Sequence, residues 1–287
     1  MAVSTLPTST RPRQQNPFRW LTRISLPWQV TIGYLSFMLF LPVAALLLKA
    51  STEKPEDFIR IATEPIALSA YEVTFTTALI AALIDGFFGV LIAWILVRYT
   101  FPFRRIIDAA IDLPFALPTS VAGLTLATVY SDTGWLGAPL SHLGIKVAFT
   151  RLGVGIAMVF ISLPFVVRTV QPVLAEMEKE FEESAWSLGA SRWQTFWRVI
   201  LPPLFPAILT GVALGFSRAV GEYGSVVIVA ANVPFQDLIA SVLVIRQLEQ
   251  YEYAGATVIG TVLLVISLII LIGINLLQAW GRRYDVK

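Results

Sequence analysis

Three ionisable residues sit inside otherwise apolar stretches of this sequence: Asp85, Arg218 and Glu222. A lone charge at the centre of a bilayer costs roughly 2.5–3.5 kcal/mol on insertion scales, so such residues face a partner or a watery cavity. Arg218 and Glu222 are four residues apart, the spacing at which two side chains on one helix meet. They can form an ion pair that locks a helix. Alternatively, Arg218 can face a passage and lower the barrier to an anion. Gly215, Gly221 and Gly224 lie beside them and would let helices or a ligand approach closely. Asp85 is expected to meet a neighbouring helix or subunit, since a carboxylate in an anion path would repel the anion. A second polar group follows Pro114 and Pro118. Those prolines remove backbone donors and bend a helix, and Thr119, Ser120 and Thr125 come next. Hydroxyls and helix N-termini can hold an anion; close packing of small residues accounts for the same pattern.

Other chemistries are excluded by what the chain lacks. It has no cysteine, hence no disulfide, thiolate metal site or Cys nucleophile. Its one histidine, His142, has no second histidine with which to build a metal site, and is expected on the surface of a loop. The carboxylates are scattered and offer no catalytic cluster. No G-x-x-x-x-G-K-[ST] pattern occurs, so the chain carries no phosphate-cradling loop of its own. A net charge of +2 does not suggest a nucleic-acid partner.

The elements that position these residues are membrane spans. Of the 287 residues, 56% are hydrophobic and 14% charged, with a mean hydropathy of +0.73. Soluble domains sit near about 45–50% and 25%. A bilayer core of about 30 Å needs about 20 apolar residues in a helix. Six stretches qualify: 24–48, 73–97, 113–131, 152–167 extending to Gln171, 204–231, and 253–281. The fold class is therefore an all-α membrane protein with about six transmembrane helices. With the N-terminus inside, the inner segments hold fourteen Lys and Arg and the outer segments six. The positive-inside rule then places both termini in the cytoplasm. Residues 1–27 read as a polar, Pro-rich cytoplasmic tail, 28–281 as the membrane domain, and 282–287 as a short cytoplasmic tail. Phe18, Trp20 and Trp28 suit interface anchors.

The longest inner connection, 176–203, is not linker-like. Glu176 to Leu188 is rich in helix formers, with Phe181, Ala185 and Leu188 on one face. Gly189 is a helix stop. Ser191 and Gln194 have the spacing of a capping box. Trp193, Phe196, Trp197 and Ile200 form the apolar face of a second helix, which Pro202 and Pro203 are expected to end. The pattern is helix, tight glycine turn, helix, lying on the cytoplasmic face. Physically it fits either an interfacial helix resting on lipid or a docking knuckle.

Glu183-Ser184-Ala185, then Gly189, then an aliphatic residue at Val199 and Leu201-Pro202, resembles the cytoplasmic signature of ATP-binding-cassette (ABC) importer permeases. Only Ser184 departs, replacing one small residue by another. The stretches Leu113–Leu124, Ile161–Pro172 and Phe216–Gly224 are similar to those of sulfate/thiosulfate permeases of the T type. The likeness covers most of the chain past residue 30, with the core permease homology at about 71–278.

The resemblance implies a type I ABC importer permease fold whose first inner-loop helix is a coupling helix docked on an ATPase. It implies an ATPase-coupling set of Glu183, Ser184, Ala185, Gly189, Leu201 and Pro202. The pathway candidates are Arg218, Glu222, Pro118, Thr119 and Ser120. It further implies a related W-type permease, two copies of an ABC ATPase that bind ATP and Mg, a periplasmic sulfate-binding protein and a bacterial inner membrane. No cofactor is expected on this chain. Two other readings stand beside it: a molybdate or tungstate permease, and a stand-alone ion-gradient-driven transporter.

Overall fold

The computed structural model describes residues 26–281, with side chains through Leu276. The expected N-terminal tail, including Phe18, Trp20 and the four arginines before Leu26, lies outside them, as does the C-terminal tail 282–287. The described residues form helices and no strand. In chain order these are α1 (Leu26–Ser51), α2 (Pro55–Ala62), α3 (Pro65–Arg98), α4 (Arg104–Ile111), α5 (Leu113–Ala116), α6 (Thr119–Tyr130) and α7 (Gly137–His142). Then come α8 (Arg151–Glu176), α9 (Glu180–Ser187), α10 (Arg192–Thr195), a π turn (Phe196–Ile200), α11 (Leu201–Val220), α12 (Val226–Val229), α13 (Ala240–Glu249) and α14 (Tyr253–Gly281). Five helical stretches among the described residues are long and apolar enough to cross a bilayer: 26–51, 65–98, 151–176, 192–220 and 253–276. They overlap five of the six expected spans.

The chain divides after Ser51. The first unit contributes α1, apolar all round and free of charge until Lys49. The second unit is built on α3, α8 and α11, which pack against one another along most of their length. Small residues make that packing possible. Ala78, Ala81, Ala82 and Ala93 of α3 are buried, as are Gly211 and Gly215 of α11. A Cβ on Gly211 would come 2.8 Å from the Val166 Cα of α8, so the two backbones are in contact. Among lipid-solvated helices such close approach, not hydrophobic exclusion, holds the bundle together.

Asp85 lies at the centre of this packing, fully buried. It meets the Ser162 hydroxyl of α8, which in turn lies 2.6 Å from the Met158 carbonyl. Its partner is thus a neighbouring helix of the same chain, one of the two options open from the sequence.

Three expected elements differ. The third span, 113–131, is not one helix. Leu117 is extended, as a residue before proline prefers, and α6 restarts at Thr119. Its 12 residues span roughly 18 Å, short of the bilayer core. The fifth span, 204–231, ends as a helix at Val220; Gly221 to Gly224 is non-helical and only the short α12 follows. The inner helix expected from Glu176 also starts later. α8 itself runs through Glu176, Met177 is extended, and α9 begins at Glu180.

Pro202 and Pro203 do not end a helix. They sit in the first turn of α11, directly after the π turn, in which the Leu201 N–H donates to the Phe196 carbonyl. Prolines are tolerated in a first helical turn because their missing N–H would be unpaired there. The widened turn creates an equivalent place in mid-helix.

Candidate functional site

The segment from α9 to α11 is built by local rules that the sequence displays. Glu180, Glu182 and Glu183 occupy the first turn of α9, where acidic groups suit the helix dipole. Gly189 terminates the helix at φ +87, a left-handed conformation that glycine adopts without penalty. Its N–H donates to the Trp186 carbonyl at 2.9 Å, and the Ala190 N–H donates to the Ala185 carbonyl at 3.0 Å. These two bonds are the Schellman closure of a helix end. Ser191 then caps α10. The Gln194 N–H donates to the Ser191 hydroxyl at 3.3 Å, and the Ser191 N–H donates to the Gln194 side-chain oxygen at 2.9 Å. The capping box is formed in both directions.

The result is a rigid knuckle that projects from the end of the bundle where α3 finishes. Glu183, Ser184, Trp186, Leu188 and Gly189 are exposed on it, and Leu188 reaches 89% exposure. Phe181, Trp193 and Trp197 are exposed beside them. Phe181 and Leu188 of the expected face therefore point away from the protein, with Ala185 half-buried between them. Glu182, a residue the sequence reading passed over, is the one turned inward. Leu201 and Pro202 lie where the knuckle passes into α11. A protruding, apolar, acid-edged turn of fixed shape can engage a groove on another protein and pass its movement to the helices at either end.

The second site is inside the bundle. Arg218 Nη1 lies 2.6 Å from a Glu222 carboxylate oxygen. Glu222 is 1% exposed, whereas one third of the Arg218 side chain is open. The other Glu222 oxygen accepts from both the Ser225 N–H and its hydroxyl, each at 2.9 Å. The Glu222 carbonyl accepts from the Ser241 hydroxyl of α13 at 2.6 Å. Glu222 therefore holds the non-helical turn between α11 and α12. The Arg218–Glu222 pair expected from the sequence is made, but across the end of α11 and not along one helix, since Glu222 lies beyond Val220; the sequence missed Ser225 and Ser241 as its partners. No periodic signal could have found them, since the chain is irregular here.

Thr119 and Ser120 come to the same place. A Cβ on Gly224 would overlap the Thr119 Oγ1 and lie 3.3 Å from the Ser120 nitrogen. The start of α6 thus rests on the Gly221–Gly224 turn, with Pro118 preceding it. Val121 and Ala122 N–H groups both donate to the Pro118 carbonyl. So the two stretches singled out for chemistry, more than ninety residues apart in sequence, meet at Gly224, two residues from Glu222. Thr125 instead donates to the Val121 carbonyl within its own helix. Beyond α12, Asp237 accepts from the Ala231 and Val233 N–H groups at 2.6 and 2.7 Å, and Thr74 accepts from the Ala240 N–H at 2.8 Å. These contacts seat the 231–240 segment against α3.

Residues 85–283 match the family described as binding-protein-dependent transport system inner membrane components. The chain is 69% identical over 264 residues to a probable sulfate transport system permease protein cysT of Chlorokybus atmophyticus, covering 92% of each. It is 64% identical over 282 residues to the sulfate transport system permease protein CysT of Synechocystis sp., covering 98% of this chain and 99% of that one. Among solved structures, a bacterial alginate ABC transporter superposes with a TM-score of 0.72 at 20% identity, over 91% of this chain and 96% of the other.

Proposed function

The chain belongs to the family of binding-protein-dependent transport system inner membrane components, and from that membership we propose that it carries sulfate and thiosulfate across a bacterial inner membrane as one permease of an ATP-driven importer. It is a multi-pass membrane subunit and not itself an ATPase. The observation that carries the mechanism is the exposed, double-capped knuckle at Glu183–Pro202. An ATPase bound there, on the cytoplasmic side with both termini, would move α8 and α11 together, because the knuckle joins their ends. Those two helices pack along α3, and the far end of α11 carries Arg218 and leads into the Glu222 turn. Half of a passage formed by this chain is completed by a related W-type permease. Two ATPase copies that bind ATP and Mg supply the movement, and a periplasmic sulfate-binding protein delivers the anion.

In the passage, Arg218 offers a positive charge whose exposed face is not consumed by Glu222. The hydroxyls of Thr119 and Ser120 and the backbone at the start of α6 offer neutral donors. Together they can replace part of the hydration of a dianion without binding it so tightly that it cannot leave.

The test is uptake of labelled sulfate in a strain lacking this chain, with molybdate and thiosulfate as competitors. Sulfate uptake is expected to vanish and to return with the gene. Unchanged sulfate uptake in the deleted strain, or restoration of molybdate uptake alone, would falsify the sulfate reading.

A further inference from the structure

Arg98 closes α3 at the end where the knuckle projects. Its Nη2 lies 2.8 Å from a Glu182 carboxylate oxygen, and both side chains are about nine-tenths buried, at 9% and 10% exposure. Nη1 and Nη2 each donate to the Met177 carbonyl at 3.3 Å, between α8 and α9. The guanidinium carbon is also 5.8 Å from the centre of the Trp94 ring, one turn earlier on α3. Trp94 in turn meets Phe196 of the π turn edge-on, with centroids 6.1 Å apart. One residue of α3 therefore grips the inward face of α9, the link before it and, through Trp94, the turn after it.

Stability alone does not account for an ion pair in this place. Each desolvated ion costs on the order of several kcal/mol, and a well-packed apolar pair often holds two elements as firmly or better. What a guanidinium adds is simultaneous reach: Nη1 and Nη2 share the Met177 carbonyl while Nη2 stays at ion-pair distance from Glu182, with Nε and that Glu182 oxygen left without a hydrogen bond. The clasp residues line an open cleft of about 400 Å³ together with Trp94, Lys179, Trp186 and Arg192.

We infer that Arg98 is a positioning residue that makes α3 follow α9, so that movement of the knuckle reaches a third helix to which it has no direct chain connection. The inference rests on the importer reading and deepens it. α3 carries Asp85 and Thr74, so a shift of its Arg98 end is felt at the Ser162 contact in the core and at the seat of the 231–240 segment.

The test uses the full importer in proteoliposomes, measuring sulfate uptake and ATP hydrolysis in the same vesicles. The paired variant Arg98→Met with Glu182→Gln removes the clasp without leaving a buried charge unmatched. It is expected to assemble and to import roughly tenfold less sulfate per ATP hydrolysed, within the range of ordinary coupling energies. Arg98→Lys, which keeps the charge and loses the fork, is expected to fall between. A wild-type ratio in the paired variant overturns the inference. So does failure of both variants to assemble, which would make the pair a structural clasp only. If the wild-type complex responds to a molybdate-loaded binding protein and not to a sulfate-loaded one, the substrate reading fails on its own. The ratio is then taken with molybdate, and the inference about Arg98 is still decided.

Discussion

Arg168 of α8 presents Nε and Nη2 to the two carboxylate oxygens of Asp112, at 2.8 and 2.7 Å. This fork-to-fork pair is the strongest geometry open to the two groups. Nη1 also reaches the Asp108 carboxylate at 2.6 Å, and Nη2 the Asp108 carbonyl at 2.7 Å. One guanidinium thus pins α4 and the start of α5 to the bundle. Lysine cannot reproduce the fork. Arg168→Lys is therefore expected to loosen α4 while the rest of the fold survives. Both carboxylates are partly exposed, so the loss is expected to be about 1 kcal/mol or less. Limited trypsin digestion reads it directly, since Arg105 is exposed on α4: cleavage there accelerates in the variant, and an unchanged rate contradicts the assignment.

The same contact carries a pH dependence. Hydrogen bonding from Arg168 holds the Asp108 carboxyl below the ordinary carboxylate range, against a smaller opposing effect of burial. A carboxylate depressed on folding contributes stability that is present above its unfolded value of about 4 and is lost as pH falls through the folded one. Trypsin-type access is replaced here by pepsin, which works in acid. Digestion at α4 is expected to quicken as pH drops below about 4, and Asp108→Asn is expected to flatten that dependence. A profile identical to wild type in the Asn variant would count against it.

Much of this architecture is legible in the sequence, and the remainder fails for identifiable reasons. Long apolar runs located α3, α8 and α14, because lipid rewards nothing else. The knuckle was legible because its two ends are made by local rules: Gly189 for the left-handed stop and Ser191 with Gln194 for the cap. Hydropathy could not see the break at Leu117–Pro118 or the end of α11 at Val220, since both lie in apolar sequence and depend on backbone geometry. Nor could spacing reveal that Arg98 pairs with Glu182 or Arg168 with Asp112. Those partners are remote in sequence, and only the packing of α3 and α8 brings them together.

Gly189 offers a local test of the knuckle. Its φ of +87 is left-handed, and a Cβ there would meet no neighbour, so substitution strains the backbone alone. Gly189→Ala is expected to cost about 1 kcal/mol and to reduce pull-down of the ATPase by the permease, with the membrane bundle intact. Gly189→Asn, a residue that tolerates this conformation better, is expected to retain more binding. Equal binding by the alanine variant and wild type would show that the turn geometry is not used for docking.

Gly224 tests whether α6 and the α11–α12 turn form one site. Its missing Cβ is the space occupied by the Thr119 Oγ1, with the Thr119 Cβ 3.1 Å away. Gly224→Ala is expected to separate the two segments and to lower sulfate uptake at normal expression. Thr119→Ala removes the obstructing oxygen, so the double variant is expected to regain uptake over Gly224→Ala alone. Additive losses in the double variant would mean that the two residues do not share a contact.

Arg218 and Glu222 should separate assembly from transport, because they are buried to different depths. Glu222 is enclosed and holds Ser225 by two bonds as well as Arg218 by one. Glu222→Ala leaves the Ser225 N–H without its acceptor and Arg218 without its counter-charge. Leaving the buried Ser225 N–H unsatisfied costs about 1–3 kcal/mol, and the variant is expected to yield less assembled complex than wild type. Arg218→Ala is a milder structural loss. Glu222 keeps both Ser225 donors, so the turn survives. What disappears is the positive charge on the open side of the pair. Sulfate uptake by Arg218→Ala is expected to fall to background while the complex still assembles and docks its ATPase. Arg218→Lys, a point charge at the same place, is expected to restore part of it. Normal uptake by the alanine variant in whole cells would place the anion elsewhere and leave the pair a purely structural lock.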